Sequence, residues 1–221
     1  MQRQDFRDKV RHIPFAREGI PYVLMAAFAT LILAVLQHHV LAWALLLVTL
    51  LMGHFFRDPE RVVDPDPATV AAPADGKVIS IERVPETVFF KSPYVRISIF
   101  MSVFDVHVNR IPLSGIVREV HYRKGRFLSA NIPRAMRENE QNWIRIEGDA
   151  GAEVVVTQVA GLIARRIVCW PGAGDQVNKG ERFGMIRFGS RLDLYVPENS
   201  EILAHVGDRV FGGETLVCRL N

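Results

Sequence analysis

The sequence predicts a mainly β body carried behind an α-helical membrane hairpin. Three observations point there: an almost wholly apolar stretch from Ile20 to Phe56, a later series of short runs with strand character, and very little helical periodicity outside the apolar stretch. With 221 residues, of which 49% are hydrophobic, the chain can bury a real core and is not a disordered segment.

Residues 1–19 read as a basic juxtamembrane segment containing Arg3, Arg7, Lys9, Arg11 and Arg17. Residues 20–56 form the hydrophobic hairpin, split by Gln37-His38-His39 into two segments near the ~17-residue lower limit for a spanning helix. A single bent insertion is the alternative reading. Arg57 and Arg61 follow the second segment and the short turn carries no Lys or Arg, so both ends belong on the cytoplasmic side of the cell (inner) membrane, together with the body. The small-x-small triplet Ala42-Trp43-Ala44 runs straight into further apolar residues, which disfavours signal cleavage, and Asp5, Asp8 and Glu18 disfavour a transit peptide.

Residues 57–70, rich in Pro and Asp, suit an extended linker, and the body spans 71–221. Strand character recurs over Lys77–Val84, Val95–Phe100, Gly115–Tyr122, Trp143–Glu147, Glu153–Val159, Arg165–Val168, Phe183–Phe188, Leu192–Val196 and Thr215–Arg219, with one short helical stretch at Arg134–Glu140. The eight residues Gly174–Glu181 are echoed by Gly207–Glu214, with a near match in the middle, as turns of the Gly-Asp-x-Val form that place a glycine and a capping Asp between two strands. With Ala74-Asp75-Gly76-Lys77-Val78 they resemble the barrel-sandwich hairpins of lipoyl and biotinyl carrier domains, a likeness of architecture only. Lys77 lacks the flanking methionines of a biotin site, which argues against a carrier role.

A net charge of +3, with no zinc spacing, no dense basic block and no interleaved aromatics, excludes a nucleic-acid partner. Cys169 and Cys218 belong to no C-x-x-C pair, so they read as buried free thiols, with a disulfide as the alternative if the fold brings them together, and no metal site is expected.

The stretch Arg187-Phe188-Gly189-Ser190-Arg191-Leu192 interrupts an apolar alternation with Gly-Ser. One reading is an ordinary bulge. The other is chemical: a serine hydroxyl is a poor nucleophile unless its target carbonyl is close, and the nearest carbonyl is that of Gly189, whose missing side chain permits conformations other residues resist. No G-x-S-x-G elbow is present, so an intermolecular serine hydrolase is not expected.

The segment "GMIRFGSRLDLYVP", together with "APADGKV" around Asp75 and "SVFDVHVNRIPLSG" around His107, resembles the short (type A) form of the phosphatidylserine decarboxylase family. "YRKGRF" at Tyr122–Phe127 and "ENE" at Glu138–Glu140 extend the resemblance over nearly the whole chain. It implies a self-processing enzyme that converts phosphatidylserine to phosphatidylethanolamine and CO2. Ser190 would attack the Gly189 carbonyl, the chain would part between 189 and 190, and Ser190 would become a covalent pyruvoyl group, the only cofactor. The resulting α and β chains would stay associated, the substrate would be drawn from anionic membrane lipid, and self-association is left open. Ser190, His107 and Asp75 are the implied catalytic residues, with His107 as base and Asp75 orienting or balancing it. Outside the resemblance, Asp75 also reads as a turn residue and His107 as a satisfied core histidine.

Two departures matter. Phe188 and Arg191 flank the Gly-Ser where longer members typically carry Leu and Thr, and Arg110 stands where many carry a second histidine, leaving His107 to serve both maturation and turnover. Other readings remain open: a decarboxylase for another serine-headed lipid such as an archaetidylserine-like ether lipid, or a non-enzymatic membrane-anchored adaptor.

Overall fold

The computed structural model describes residues 14–85, 92–130, 132, 134–149, 151–162, 166–186 and 189–221. They fall into two compact units divided between Glu60 and Arg61.

The first unit is a helical hairpin. Helix α1 spans Ile20–Val35 and α2 spans His39–Phe55, joined by a turn in which Gln37 takes a φ of 60°. A single 3-10 turn, Arg17–Gly19, leads into α1, and the apolar stretch Arg17–Val35 is 19 residues, long enough to cross a membrane; His39–Phe55, with 17, is shorter. The two helices run antiparallel: the Ala16 N–H donates to the Phe56 carbonyl at 2.7 Å, and the Thr30 and Thr49 hydroxyls lie 3.3 Å apart midway. Leu24, Phe28, Leu31, Trp43, Leu47 and Leu50 project outward, the arrangement of helices whose solvent is hydrocarbon.

The second unit is built from one seven-strand pattern used twice. The inner copy is continuous: β4 (Val108–Arg110), β5 (Gly115–Arg123), β6 (Gln141–Gly148), β7 (Glu153–Val159), β8 (Ile167–Cys169), β9 (Gln176–Val177) and β10 (Arg182–Ile186). The outer copy is split around it: β1 (Thr69–Ala71), β2 (Gly76–Val84) and β3 (Tyr94–Met101) precede it, and β11 (Ser190–Pro197), β12 (Glu201–Ile202), β13 (Arg209–Val210) and β14 (Leu216–Arg219) follow it. The eight-stranded sheet runs β13-β2-β3-β11-β7-β6-β5-β9, a sequence that reads equivalently from either edge, and the two three-stranded sheets, β1-β14-β12 and β4-β10-β8, match strand for strand.

Hydrogen bonds show the same duplication. Gly174 N–H donates to the Val117 carbonyl at 2.7 Å and Gly207 N–H to the Val78 carbonyl at 2.9 Å; Val117 N–H and Val78 N–H return bonds to the Asp175 and Asp208 carbonyls, both at 2.9 Å. Asp175 caps the Gly172 N–H and Asp208 the His205 N–H, at 2.7 and 2.8 Å, and both turn glycines have positive φ, 92° and 105°. The eight-residue echo in the sequence is therefore the visible trace of a repeat across the whole unit.

Between the sheets lies one core containing Val78, Ile97, Ile99, Ile144, Phe183 and Leu192, all fully buried. The large sheet curls around this core as a half-barrel. Strand β11 sits between β3 and β7 and is buried along nearly its whole length; β5, next to the edge strand β9, alternates buried and exposed residues at its start. The strand runs anticipated from sequence correspond to β2, β3, β5–β8, β10, β11 and β14, while the helical stretch shrinks to α3 (Ala135–Glu138). Arg165, Arg187 and Phe188 lie outside the described residues. β1 begins at Thr69, so the sheet starts two residues before Ala71, and Arg61 is held by ion pairs to Asp75 and Glu214.

Registers place one row of residues across seven strands: Arg209, Lys77, Phe100, Arg191, Val159, Gln141 and Arg123. Beyond that row at the same end come Asp75-Gly76, the Ser102–His107 loop, Gly161 and Gly189-Ser190. Gly76 permits β2 and β3 to approach there, since a Cβ on it would lie 2.2 Å from the Phe100 carbonyl oxygen. Gly76→Ala is expected to destabilise the protein by about 2–4 kcal/mol through overpacking against backbone, read as a lower thermal midpoint in detergent solution.

Candidate active site

Ser190 is the first residue of β11 and is fully buried. It faces Met101 across the β3–β11 ladder, and its Oγ donates to the Met101 Sδ at 3.4 Å. A thioether is a weak acceptor, so the hydroxyl is oriented without being tied up in a strong hydrogen bond. The same sulfur is approached at 3.8 Å by the Asn109 Nδ2 of β4, which brings the strand just after His107 to Ser190's neighbour.

Gly189 has a φ of +59°, the left-handed region, while a Cβ there would meet nothing within 4 Å. Its requirement for glycine is therefore conformational and not spatial. The apolar alternation read across this point is really two strands in two sheets: β10 pairs with β4 and β8, β11 with β3 and β7, and Gly189 stands at the crossing. In the inner copy the equivalent place is the β6–β7 hairpin turn, where Gly151 has a φ of +81°. Gly189-Ser190 thus occupies the tip of a hairpin whose two strands, β3 and β11, have been opened to admit the entire inner copy.

His107 is fully buried one residue before β4. Its Nδ1 lies 2.9 Å from the Asp105 carbonyl oxygen. A carbonyl can only accept, so Nδ1 is the donor in this contact. Asp105 is fixed in turn by Ser102, whose N–H and Oγ donate to Oδ2 at 2.8 and 2.7 Å, and by an Arg209 ion pair at 2.5 Å.

Asp75 is buried at the same end, and both of its carboxylate oxygens have partners of their own. Oδ1 accepts from the Gly212 N–H at 2.8 Å and Oδ2 pairs with Arg61 at 2.7 Å. Burial pushes the carboxyl pKa up, against the opposing pull of the Gly212 hydrogen bond and Arg61. The inner copy separates two roles here. Ser114 stands where Asp75 does and accepts the Lys179 N–H at 2.9 Å, so a hydroxyl suffices for the cap and Asp75 adds a charge.

Arg110, in the place of a second histidine, is buried and donates to the Gly180 carbonyl at 2.9 Å. His121 is an exposed strand residue tilted against Trp143 at 5.2 Å. In the Tyr122–Phe127 segment, Arg123 donates to the Met136 and Arg137 carbonyls of α3 and Arg126 pairs with Glu138.

Sequence reasoning passed over a buried amide relay. Gln158 Nε2 donates to Asn109 Oδ1 at 2.9 Å and to the Val168 carbonyl at 3.1 Å, and Asn142 Nδ2 donates to Gln158 Oε1 at 3.1 Å. Amides in otherwise apolar strand runs were the available signal. Among the described residues no three His, Cys, Asp or Glu side chains gather as a metal site. Both cysteines are free, and burial raises their thiol pKa values to about 11 for Cys169 and about 12 for Cys218.

Asp75→Ser is expected to keep the cap, as Ser114 does, and to cost under about 2 kcal/mol at neutral pH because Arg61 retains Glu214. Because the folded-state carboxyl pKa is raised, its stabilising contribution is present below the unfolded pKa and lost as pH rises through the folded one. Urea titrations should therefore show the wild type gaining on Asp75→Ser as pH falls.

A family model described as phosphatidylserine decarboxylase matches residues 48–218. The phosphatidylserine decarboxylase proenzyme of Geotalea uraniireducens is 48% identical over 207 residues, 94% of this chain and 97% of that protein. The proenzyme of the same name from Desulfotalea psychrophila is 45% identical over 205 residues, 93% and 96% of the two chains. That of Saccharopolyspora erythraea is 46% identical over 217 residues, 94% and 89%.

Proposed function

This chain belongs to the phosphatidylserine decarboxylase family, and we propose that it matures by breaking its own Gly189–Ser190 bond and then decarboxylates phosphatidylserine to phosphatidylethanolamine. The observation that carries this reading is a buried serine hydroxyl at the head of a central strand, joined to a glycine in the left-handed region where a hairpin turn would otherwise be.

In maturation Ser190 Oγ attacks the Gly189 carbonyl carbon and the amide becomes an ester. Removal of the Ser190 α-proton then expels the Gly189 carboxylate and leaves dehydroalanine, whose imine form takes up water, releases ammonia and becomes pyruvoyl. His107 Nε2 serves as the proton acceptor, its tautomer held by the Asp105 carbonyl. Asp75 contributes negative charge at the same end of the sheet, supporting the cation that forms on the imidazole.

The surroundings of Ser190 fit such a group, because Met101 faces it and the flanking Leu192 and Ile99 are fully buried apolar side chains. When bound, the pyruvoyl carbonyl supplies the electron sink for the pair released with CO2. Separation of the two chains would be opposed by ladders that join one piece to the other: β11 pairs with β3 and β7, β13 with β2, and β14 with β1.

Access from a membrane is supported by exposed apolar side chains at the same end. Phe104 is 67% exposed three residues beyond Met101, and Leu162 is 65% exposed three residues beyond Val159. Lys77 and Lys124, both exposed at this end, suit an anionic headgroup layer. The positive-inside pattern around the helices supports a cytoplasmic catalytic unit.

Mass spectrometry of purified wild type is expected to give two fragments with a carbonyl-bearing terminus at position 190, and Ser190→Ala a single uncut, inactive chain; an uncut, fully active wild type would overturn the proposal. Phe104→Asp with Leu162→Asp is expected to raise KM for phosphatidylserine in vesicles by about tenfold, the equivalent of ~1.4 kcal/mol of lost apolar contact. Turnover of a short-chain, micelle-forming phosphatidylserine should change much less.

A further inference from the structure

Gly161 shows the closest approach to the reactive bond. A Cβ on this residue would lie 1.6 Å from the Gly189 carbonyl oxygen and 2.8 Å from its carbonyl carbon. No side chain fits at such distances, so the Gly161 backbone lies directly against the carbonyl that maturation attacks. The two glycines meet different demands: Gly189 supplies a conformation, Gly161 supplies space.

The loop bearing Gly161 is held in place. Asn139, fully buried, donates through Nδ2 to the Ala160 carbonyl at 2.7 Å and to the Leu128 carbonyl at 2.8 Å, and its Oδ1 accepts the Leu128 N–H at 3.0 Å. The Ala160 N–H donates to the Glu140 carbonyl at 3.0 Å, and Ala130, almost fully buried, stands 3.5 Å behind the Gly161 Cβ position. The Glu138-Asn139-Glu140 and Tyr122–Phe127 segments, which no step of the chemistry uses, thereby acquire a role: they close around the loop that carries Gly161.

We infer that Gly161, braced by the Asn139 side chain, is the positioning residue that seats the Gly189 carbonyl for attack by Ser190. The carbonyl oxygen is the atom whose charge grows as Oγ adds to the carbon, and both attack angle and distance depend on where it rests. A methyl group at 161 displaces it by more than an ångström. The inference rests on self-cleavage at Gly189–Ser190, and its failure is distinguishable from failure of that reading, because the latter shows in the wild type.

The test is a time course of chain cleavage for full-length protein synthesised into lipid nanodiscs, with and without neutral hydroxylamine, which intercepts the ester as a Gly189 hydroxamate. Gly161→Ala is expected to slow cleavage by at least ~100-fold, the scale of an ångström misplacement, and to give no hydroxamate, since the ester is not reached. A folding defect alone would leave the hydroxamate yield of the folded fraction at the wild-type level. Asn139→Asp, which keeps the Leu128 N–H acceptor and loses both donated bonds, is expected to slow cleavage in the same manner and serves if Gly161→Ala does not fold. Wild-type cleavage rates in a folded Gly161→Ala or in Asn139→Asp, or abundant hydroxamate in an uncut variant, would overturn the inference. A wild type that stays whole would instead remove its premise.

Discussion

The chemistry depends on a sharp change of constraint at one peptide bond. From Ser190 onward β11 is laddered to β3 and from Arg191 also to β7, and Arg191 is pinned on the opposite sheet face by Asp193 at 2.7 Å and Ser98 at 2.8 Å. One residue earlier the backbone leaves the sheet through a glycine in the left-handed region. In the proposed maturation, a nucleophile laddered to β3 beside a carbonyl that lies outside the sheet can attack without the strand yielding. A serine inside a regular strand could not, because its preceding carbonyl would be fixed in the extended conformation.

The duplicated architecture explains how that place arises. In the inner copy the strand pair β6–β7 closes through a hairpin turn, and in the outer copy the corresponding pair β3–β11 is held open by the inner copy itself. Both strands remain neighbours, so the tip is geometrically a turn, yet the chain enters it from another sheet. The equivalents of the reactive residues in the intact turn carry no chemistry: Ala152 for Ser190, Gly148 for Met101, Ser114 for Asp75. Function has been added to one copy of a pattern whose other copy keeps only the structural duties.

Much of this was legible in the residues and some was not. Alternation and turn glycines gave the strands, and the Gly-Asp echo gave the two edge turns, because those depend on local backbone demands that only a few residue types meet. The rest of the repeat shares hydrogen bonds and only scattered identical residues such as Val78 and Val117, so places like Ala72 and Ile111 are equivalent without resembling each other. Ser190, His107 and Asp75 could be singled out from their motifs, but the expected Asp75–His107 partnership could not be tested by spacing. The structure gives the imidazole to a backbone carbonyl and the carboxylate to Arg61 and Gly212. Gly161 was invisible for a related reason: its partner is a backbone oxygen 28 residues away, a contact no side-chain pattern encodes.

Cutting the chain at an opened hairpin also has a consequence for stability. A cut inside a strand would sever a ladder, and a cut in an ordinary loop would leave the nucleophile free to wander. The proposed cut would make Ser190, the first residue of β11, the new terminus, so the bond lost would contribute nothing to the ladder with β3. Strands β11 to β14 are then retained by the pairings that held them before, two of them edge contacts that lock β13 onto β2 and β14 onto β1. Under the proposed maturation, residue 190 would therefore stay where the uncut chain places it, buried at the end of the sheet that bears Phe104 and Leu162 on its rim.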